Sequence, residues 1–328
     1  MSFYRDSKLA AVSTAIGTLW TAYQAYRLVS FVQLYFLHRS TLKRYLKPSS
    51  GGEPAWALVT GATDGIGRGF AEELCSHGFN VIIHGRNPEK LENEKEKLLS
   101  RWPQCSVRTL CIDAAIEGGN VEALEKAAEE YRSLNLRILI NNCGGTGRTT
   151  SSVPLHLRTA EETRFFIDLN LRFSTEVTRI LLPRLRQNTP SLILNLSSMT
   201  SNFGIPYLSI YSGAKGYNQS FSRCLAAEMK AENVDVEVLG LIVSAVATDH
   251  YTKPQNLFVP SSSKFAKAAL GIVGCGRAIL IPYWGHCVQS WLVELVPRGI
   301  REGLMVEAGK NEKRDEESGK TYKTQKSE

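Results

Sequence analysis

The sequence predicts an α/β fold: one doubly wound parallel sheet with helices on both faces, in a single catalytic domain preceded by an apolar segment. Three observations lead there. Short β-rich apolar runs alternate with helical patterns through the middle of the chain, as βαβ units do. A glycine-rich turn, Gly61-Ala-Thr-Asp-Gly65-Ile-Gly67, stands between the first such run and the first such helix. A third stretch, Ser191 to Ala226, ends an apolar run in Ser197-Ser198. It then passes a loop with Gly204 and Pro206 and opens a helix with Tyr211-Ser-Gly-Ala-Lys215.

Residues 1–47 differ from everything after them. Leu9 to Leu37 is largely apolar, is broken by Gln24, Arg27 and Gln33, and contains no acid. It is long for a signal peptide and has no cleavage site of small residues. Leu9 to Tyr26 alone is near the minimum for one membrane crossing, and its Tyr and Trp suit an interfacial belt. Arg39, Lys43, Arg44 and Lys47 follow it, against Arg5 and Lys8 before it. That bias places the downstream domain in the cytosol. A membrane anchor is the expectation. Whether it spans the bilayer or lies on it as an amphipathic helix stays open. Residues 48–53 read as a linker.

The domain then runs over residues 54–300. Ala55 to Thr60 is a strand, and the glycine turn and a helix from Arg68 to His77 follow it. Glycines at 61, 65 and 67 allow a tight turn and close backbone approach to a pyrophosphate, which would sit on the helix N-terminus as in a Rossmann fold. Further strands are expected at Asn80–His84, Val107–Ile112, Arg137–Asn141, Leu192–Leu196, Val234–Ile242 and Ala278–Tyr283. Helices are expected at Pro88–Arg101, Asn120–Tyr131, Glu161–Arg186, Tyr211–Glu232 and Lys264–Val273. Residues 301–328 are charged and poor in apolar groups, which predicts a disordered tail.

The chain has 328 residues, 43% of them apolar, and a net charge of +7. That length allows one domain of about 250 residues with appendages. The basic residues are denser near the two ends, which suits a membrane surface better than nucleic acid, and no nucleic-acid signature appears. Seven cysteines without CxxC spacing suggest reduced thiols facing the cytosol. No metal-ligand set is assigned.

The chemistry is carried by Tyr211 and Lys215. Four residues apart, they share one face of a helix. An ammonium beside a phenol favours the phenolate, so the spacing predicts a lowered tyrosine pKa and a proton passed near neutral pH. Ser198 lies close enough in sequence for a strand end and a loop to bring its hydroxyl to the same oxygen. The set suits reduction of a ketone or oxidation of an alcohol, with hydride from a cofactor. Arg86 closes the second strand, nineteen residues after Gly67. An acid there would take the ribose 2′-hydroxyl of NAD, whereas an arginine accommodates the 2′-phosphate of NADP.

Together these residues resemble the short-chain dehydrogenase/reductase family over roughly residues 53–285. The TGxxxGxG turn appears as Thr60 to Gly67, the NNAG motif as Asn141-Asn-Cys-Gly144, and the catalytic set as Asn170, Ser198, Tyr211 and Lys215. The resemblance implies a cofactor, NADPH, held at the turn by Gly61, Thr63, Asp64, Gly65, Ile66 and Gly67. Further along it implies Arg86, Asp113 at the adenine, Asn142, Tyr211, Lys215, Val246 and Thr248. Asn170 would hold a water linked to the lysine. Two departures stand out: Cys143 replaces the alanine of NNAG, and Val243-Ser244 replaces a Pro-Gly pair while Thr248 stays in register.

The apolar first segment, TGATDGIG, YSGAK and Pro282-Tyr-Trp-Gly-His286 look most like the membrane-bound very-long-chain 3-oxoacyl-CoA reductases of fungal type. These are cousins of the 17β-hydroxysteroid dehydrogenases. That likeness implies an endoplasmic reticulum enzyme with its catalytic domain in the cytosol and a lipophilic carbonyl substrate, an acyl-CoA or a steroid. Its implied partners are the membrane, other elongation enzymes and a second copy of the chain. Asn256 to Pro260 would cover the substrate. Ile281 to Ile300 would either face the membrane or bury as a terminal helix. A sibling reductase for a steroid or secondary metabolite, and a non-catalytic membrane scaffold, remain the competing readings. All four catalytic residues being present argues against the scaffold.

Overall fold

The computed structural model describes residues 2–145, 152–249 and 254–318. Two compact units divide the chain, one up to Arg39 and one from Ser40 onward. In the first, α1 (Ser2–Val32) runs into a single π-turn, Gln33–Leu37. Ile16, Leu19, Trp20 and Tyr26 are exposed on α1. No helix among the described residues is long and apolar enough to cross a membrane. Gln24, Arg27 and Gln33 recur too closely for an unbroken apolar span.

The second unit is built on a seven-stranded parallel sheet in the order β3-β2-β1-β4-β5-β6-β7. Its strands are β1 (Ala55–Val59), β2 (Asn80–Gly85), β3 (Val107–Cys111), β4 (Asn135–Asn141), β5 (Ser191–Ser198), β6 (Val236–Val243) and β7 (Ile279–Leu280). Every residue of β1, β4 and β5 is buried. Helices cover both faces, so these strands read as continuous apolar runs rather than alternations. Strand order reverses between β1 and β4, and the crevice outside their carboxyl ends is where such sheets bind ligands.

Around the sheet lie α2 (Gly65–Ser76), α3 (Pro88–Arg101), α4 (Glu117–Glu130), α5 (Ala160–Ile167), α6 (Phe173–Gln187), α7 (Ser209–Ala231), α8 (Ser262–Gly271) and α9 (Trp284–Leu295). The single helix expected over Glu161–Arg186 is two helices joined by a π-turn, Asp168–Arg172, in which the Phe173 N–H reaches back to the Asp168 carbonyl. Such one-residue insertions are rare and cluster at functional sites. This one contains Asn170. Over Ile281–Ile300, α9 is buried on one face, at His286 and Ser290, and exposed on the other, at Leu292 and Leu295.

The tail departs from expectation. Residues expected to be disordered from 301 form α10 (Arg298–Glu317). Arg298 pairs with Glu302 and Lys313 with Glu317, each one turn apart, and Gly309 is buried against Pro206. High charge with opposite signs four apart supports a helix. Residues 319–328 of the tail lie outside the described residues.

Candidate active site

The first half of the site is the turn after β1. Gly61 and Gly65 have φ of +63° and +54°, which favours glycine, and a Cβ on Gly67 would collide with the Gly61 oxygen. The turn is braced from three sides. The Asn142 amide donates to the Thr60 and Gly61 carbonyls at 2.9 and 3.1 Å. The Thr60 hydroxyl accepts the N–H groups of Asn142 and Cys143, both at 2.9 Å. The Gly61 N–H donates to His84 Nδ1 at 3.1 Å, so the ring proton is on Nε2, which donates to the Ile112 carbonyl at 3.0 Å. Burial pushes this imidazole down to about 4, so it stays neutral. His84 also stacks on Phe173. Sequence reasoning assigned it no role, and its only signal was a histidine closing an apolar strand.

Asp64 caps α2, its carboxylate accepting from the Gly65 N–H, and Ile66 is half-buried in the first helical turn. Thr63 lies against Gly85 at the end of β2, where a Cβ would stand 2.8 Å from its methyl. Arg86 follows, with no hydrogen-bond or ion-pair partner among the described residues. Arg68 is committed elsewhere, to Asp249 at 3.0 Å. Asp113 accepts from the Ala115 N–H at 3.0 Å. Across the crevice, Val246 is buried, and the Thr248 methyl would stand 3.1 Å from a Cβ on Gly65. Where the Pro-Gly pair is lost, the backbone meets His286. Its Nδ1 accepts from the Ser244 N–H at 3.3 Å, and its Nε2 contacts the Ala245 carbonyl at 3.0 Å.

The second half sits at the end of β5 and the start of α7. Ser198 stands beside the Tyr211 phenol and favours its ionised form, while its own hydroxyl oxygen accepts the Thr200 N–H at 3.2 Å and meets the Thr200 hydroxyl at 3.0 Å. Lys215 Nζ lies 5.8 Å from the centre of the Tyr211 ring and donates to the Leu196 carbonyl at 3.1 Å. The spacing predicted a lowered tyrosine pKa, and the structure reverses that direction. Burial pushes the phenol above its ordinary value, with Ser198 opposing. The cost of removing the phenolate from water outweighs the help that Ser198 gives it. Burial lowers Lys215 instead, to about 8, with nearby Cys143 opposing.

Asn170 completes the cluster. It is 1% exposed, so it does not point to solvent as mid-helix asparagines usually do. Its Oδ1 accepts from the Gly145 N–H at 2.7 Å, and its Nδ2 donates to the Gly145 and Phe166 carbonyls at 2.8 and 3.0 Å. Its carbonyl accepts from Asn218 at 3.3 Å. A Cβ on Gly144 would stand 2.9 Å from Asn170 Oδ1 and 3.0 Å from Lys215 Nζ. The loop after β4 thus brings Asn170 and Lys215 to one point. Asn142, expected at the cofactor, is used on the glycine turn, so it shapes the cradle through backbone contacts.

A phosphate cradle and a hydroxyl pair backed by a buried ammonium therefore meet at the reversal of strand order. Residues 55–256 match the family model described as short chain dehydrogenase. The chain belongs to this family. Among its relatives is the very-long-chain 3-oxoacyl-CoA reductase of Neurospora crassa, 32% identical over 85% of this chain and 84% of that one. A very-long-chain 3-oxoacyl-CoA reductase-like protein of Arabidopsis thaliana is 35% identical over 82% of this chain and 83% of its own. Among solved structures, a short-chain dehydrogenase from Sphingobium yanoikuyae in complex with NADPH superposes with a TM-score of 0.61 at 25% identity. It covers 76% of this chain and 95% of its own. The protein is an NADP-dependent short-chain oxidoreductase.

Proposed function

We propose that this dehydrogenase reduces a 3-oxoacyl-CoA to the 3-hydroxyacyl-CoA in very-long-chain fatty-acid elongation. The observation that carries the chemistry is the Ser198–Tyr211 hydroxyl pair with Lys215 buried behind it, at the mouth of the glycine cradle. The substrate class rests on the relatives named as very-long-chain 3-oxoacyl-CoA reductases, which align with most of this chain.

The residues fit the dinucleotide. A Cβ on Gly67 would collide with the Gly61 carbonyl, so only glycine closes this tight turn at the helix N-terminus, and Arg86 is available for a 2′-phosphate. NADPH, when bound, supplies a hydride to the carbonyl carbon. Ser198 orients and polarises the carbonyl oxygen, and Tyr211 Oη gives that oxygen its proton, so ketone, hydride and proton balance as the alcohol. Lys215, positive below about pH 8, stabilises the phenolate this leaves. Asn170 fixes the Gly145 backbone beside Lys215.

The catalytic domain belongs, on this reading, on the cytosolic side of the endoplasmic reticulum, with α1 lying on the membrane. The exposed Leu19, Trp20 and Tyr26 and the basic flank at Arg39 to Lys47 support surface contact.

The test uses full-length protein, NADPH, and a series of 3-oxoacyl-CoA thioesters beside a steroid ketone. Faster turnover of the long thioesters is expected. Turnover of the steroid alone would overturn the substrate class, and no NADPH consumption with any carbonyl would return the scaffold reading. In membrane fractions, release by an alkaline wash is expected of a surface helix. Retention would overturn that placement.

A further inference from the structure

The matched family segment ends at residue 256, yet an element beyond it lies against the loops beside Tyr211. α10 joins two segments that leave the sheet at its carboxyl end. One is residues 203–207, which connects Ser198 to Tyr211. The other begins at Ser152, downstream of β4 and Gly145.

Toward the first segment, Gly309 is buried, and a Cβ on it would stand 2.8, 3.2 and 3.3 Å from three atoms of the Pro206 ring. Only a glycine lets helix and proline come this close. The Arg301 guanidinium lies 6.0 Å from the Phe203 ring centre, and the Lys313 ammonium 5.2 Å from that of Tyr207. Residues 301, 309 and 313 fall on one helical face. Tyr207 itself has a φ of +70°, a conformation a side-chain-bearing residue adopts at a cost, so something must hold it. Lys313 sits on its ring. Toward the second segment, the Glu316 carboxylate accepts from the Ser152 N–H at 3.0 Å.

We propose that α10 is the substrate-selecting wall of this site and that Gly309 is its specificity-determining residue. The inference rests on the reductase reading and deepens it to a substrate class: a carbonyl on a long apolar chain. A compact ketone is held at Ser198 and Tyr211 alone. An extended chain must continue past the 203–207 segment, and the position of that segment is set by α10. Among the described residues the seat includes a glycine contact too close for any larger side chain, two cation–ring contacts and a carboxylate–amide bond. A single larger residue at 309 therefore shifts the wall without touching the reacting atoms.

The test compares wild type, Gly309→Leu and Lys313→Ala as full-length protein with NADPH. The probes are a long-chain and a short-chain 3-oxoacyl-CoA, and a bulky and a compact neutral ketone. Gly309→Leu should change the long-to-short ratio of kcat/KM by about tenfold or more, mainly through KM. The compact ketone's kcat and the KM for NADPH should stay within about twofold. Lys313→Ala keeps the glycine contact and should shift the same ratio in the same direction by less. A long-to-short ratio unmoved in both variants overturns the inference, as does an equal loss on all four carbonyls. A wild type that ignores both thioesters ends the thioester reading, and the bulky-to-compact ratio then decides the role of α10.

Discussion

At the amino ends of β6 and β7, polar groups are spent on one another. A strap, Ser40 to Lys47, crosses there. Its Tyr45 hydroxyl donates to Glu237 Oε2 at 2.6 Å, Gly274 N–H holds Glu237 Oε1 at 2.8 Å, and Arg44 reaches both oxygens of Asp235 at 2.7 and 2.6 Å. Thr41 N–H and the Ser40 hydroxyl bond to the carbonyls of Val273 and Leu270. At the carboxyl ends the arrangement is opposite. Arg86 has no partner among the described residues, and Lys215 makes one bond to a carbonyl while burial pulls its pKa down. Where charges are neutralised locally, the sheet gains rigidity. Where they are left under-satisfied, the fold keeps groups that a ligand can complete. If the contrast is real, changes at the carboxyl ends should alter turnover without unfolding, and changes at the amino ends should do the reverse.

The largest effect should come from Tyr211→Phe. It removes the proton donor and keeps the ring, so the rate should fall by at least ~100-fold, the usual scale for a general acid. The melting temperature and NADPH affinity should stay close to wild type. Near wild-type turnover would mean another group gives the proton.

How much of this contrast was legible in the sequence differs by end. The carboxyl end was largely readable, because Gly61, Gly65, Gly67, Ser198, Tyr211 and Lys215 sit at spacings set by local geometry. What spacing could not supply was burial. The direction of the Tyr211 shift depends on water lost around the phenol, which no interval of four residues encodes. His84 and His286 were also missed as props, since each acts through loops far away in sequence. The amino end was not readable at all: Tyr45 meets Glu237 across 192 positions. The helical tail was misread because charge density was taken for disorder, although its opposite charges recur at helical spacing and its seat on Pro206 is a tertiary contact.

Arg86→Ala comes next. Two charge-assisted bonds to a 2′-phosphate, at roughly 1.5–3 kcal/mol each, imply a KM for NADPH raised about ten- to a hundredfold with NADH nearly unaffected. Arg68 is tied to Asp249, so the double variant with Arg68→Ala should add little. A wild type that prefers NADH would show that the end of β2 does not read the phosphate.

A pH series sharpens the comparison through Lys215. Its folded value of about 8 lies below the ordinary 10.5, so between the two values the folded state binds fewer protons than the unfolded one. Stability should therefore rise with pH across that window. The ammonium behind Tyr211 is lost over the same range, so kcat/KM should fall by about tenfold per pH unit above it. Lys215→Met should abolish the stability slope. Activity and stability falling together above pH 8 would contradict the buried ammonium.

The smallest effect on catalysis should come from the opposite end, with Tyr45→Phe. The Tyr45 side chain is fully buried, so the substitution leaves no cavity and removes only the hydroxyl. Glu237 then keeps its Gly274 bond but loses its strongest donor, and a carboxylate left short of a partner costs about 1–3 kcal/mol. Arg44 and Asp235 do not replace it, because that pair is half exposed and such pairs contribute about 0–1 kcal/mol. At about 2–4 °C per kcal/mol for a domain of this size, the melting temperature should fall by several degrees. Turnover and the KM for NADPH should stay within about twofold, because the strap meets the sheet at the end away from Tyr211. Glu237→Gln separates hydrogen bonding from charge, since an amide oxygen still accepts from Tyr45, and it should cost less than Tyr45→Phe. A loss of turnover in Tyr45→Phe at an unchanged melting temperature would show that the two ends of the sheet are coupled, and the division of labour drawn here would fail.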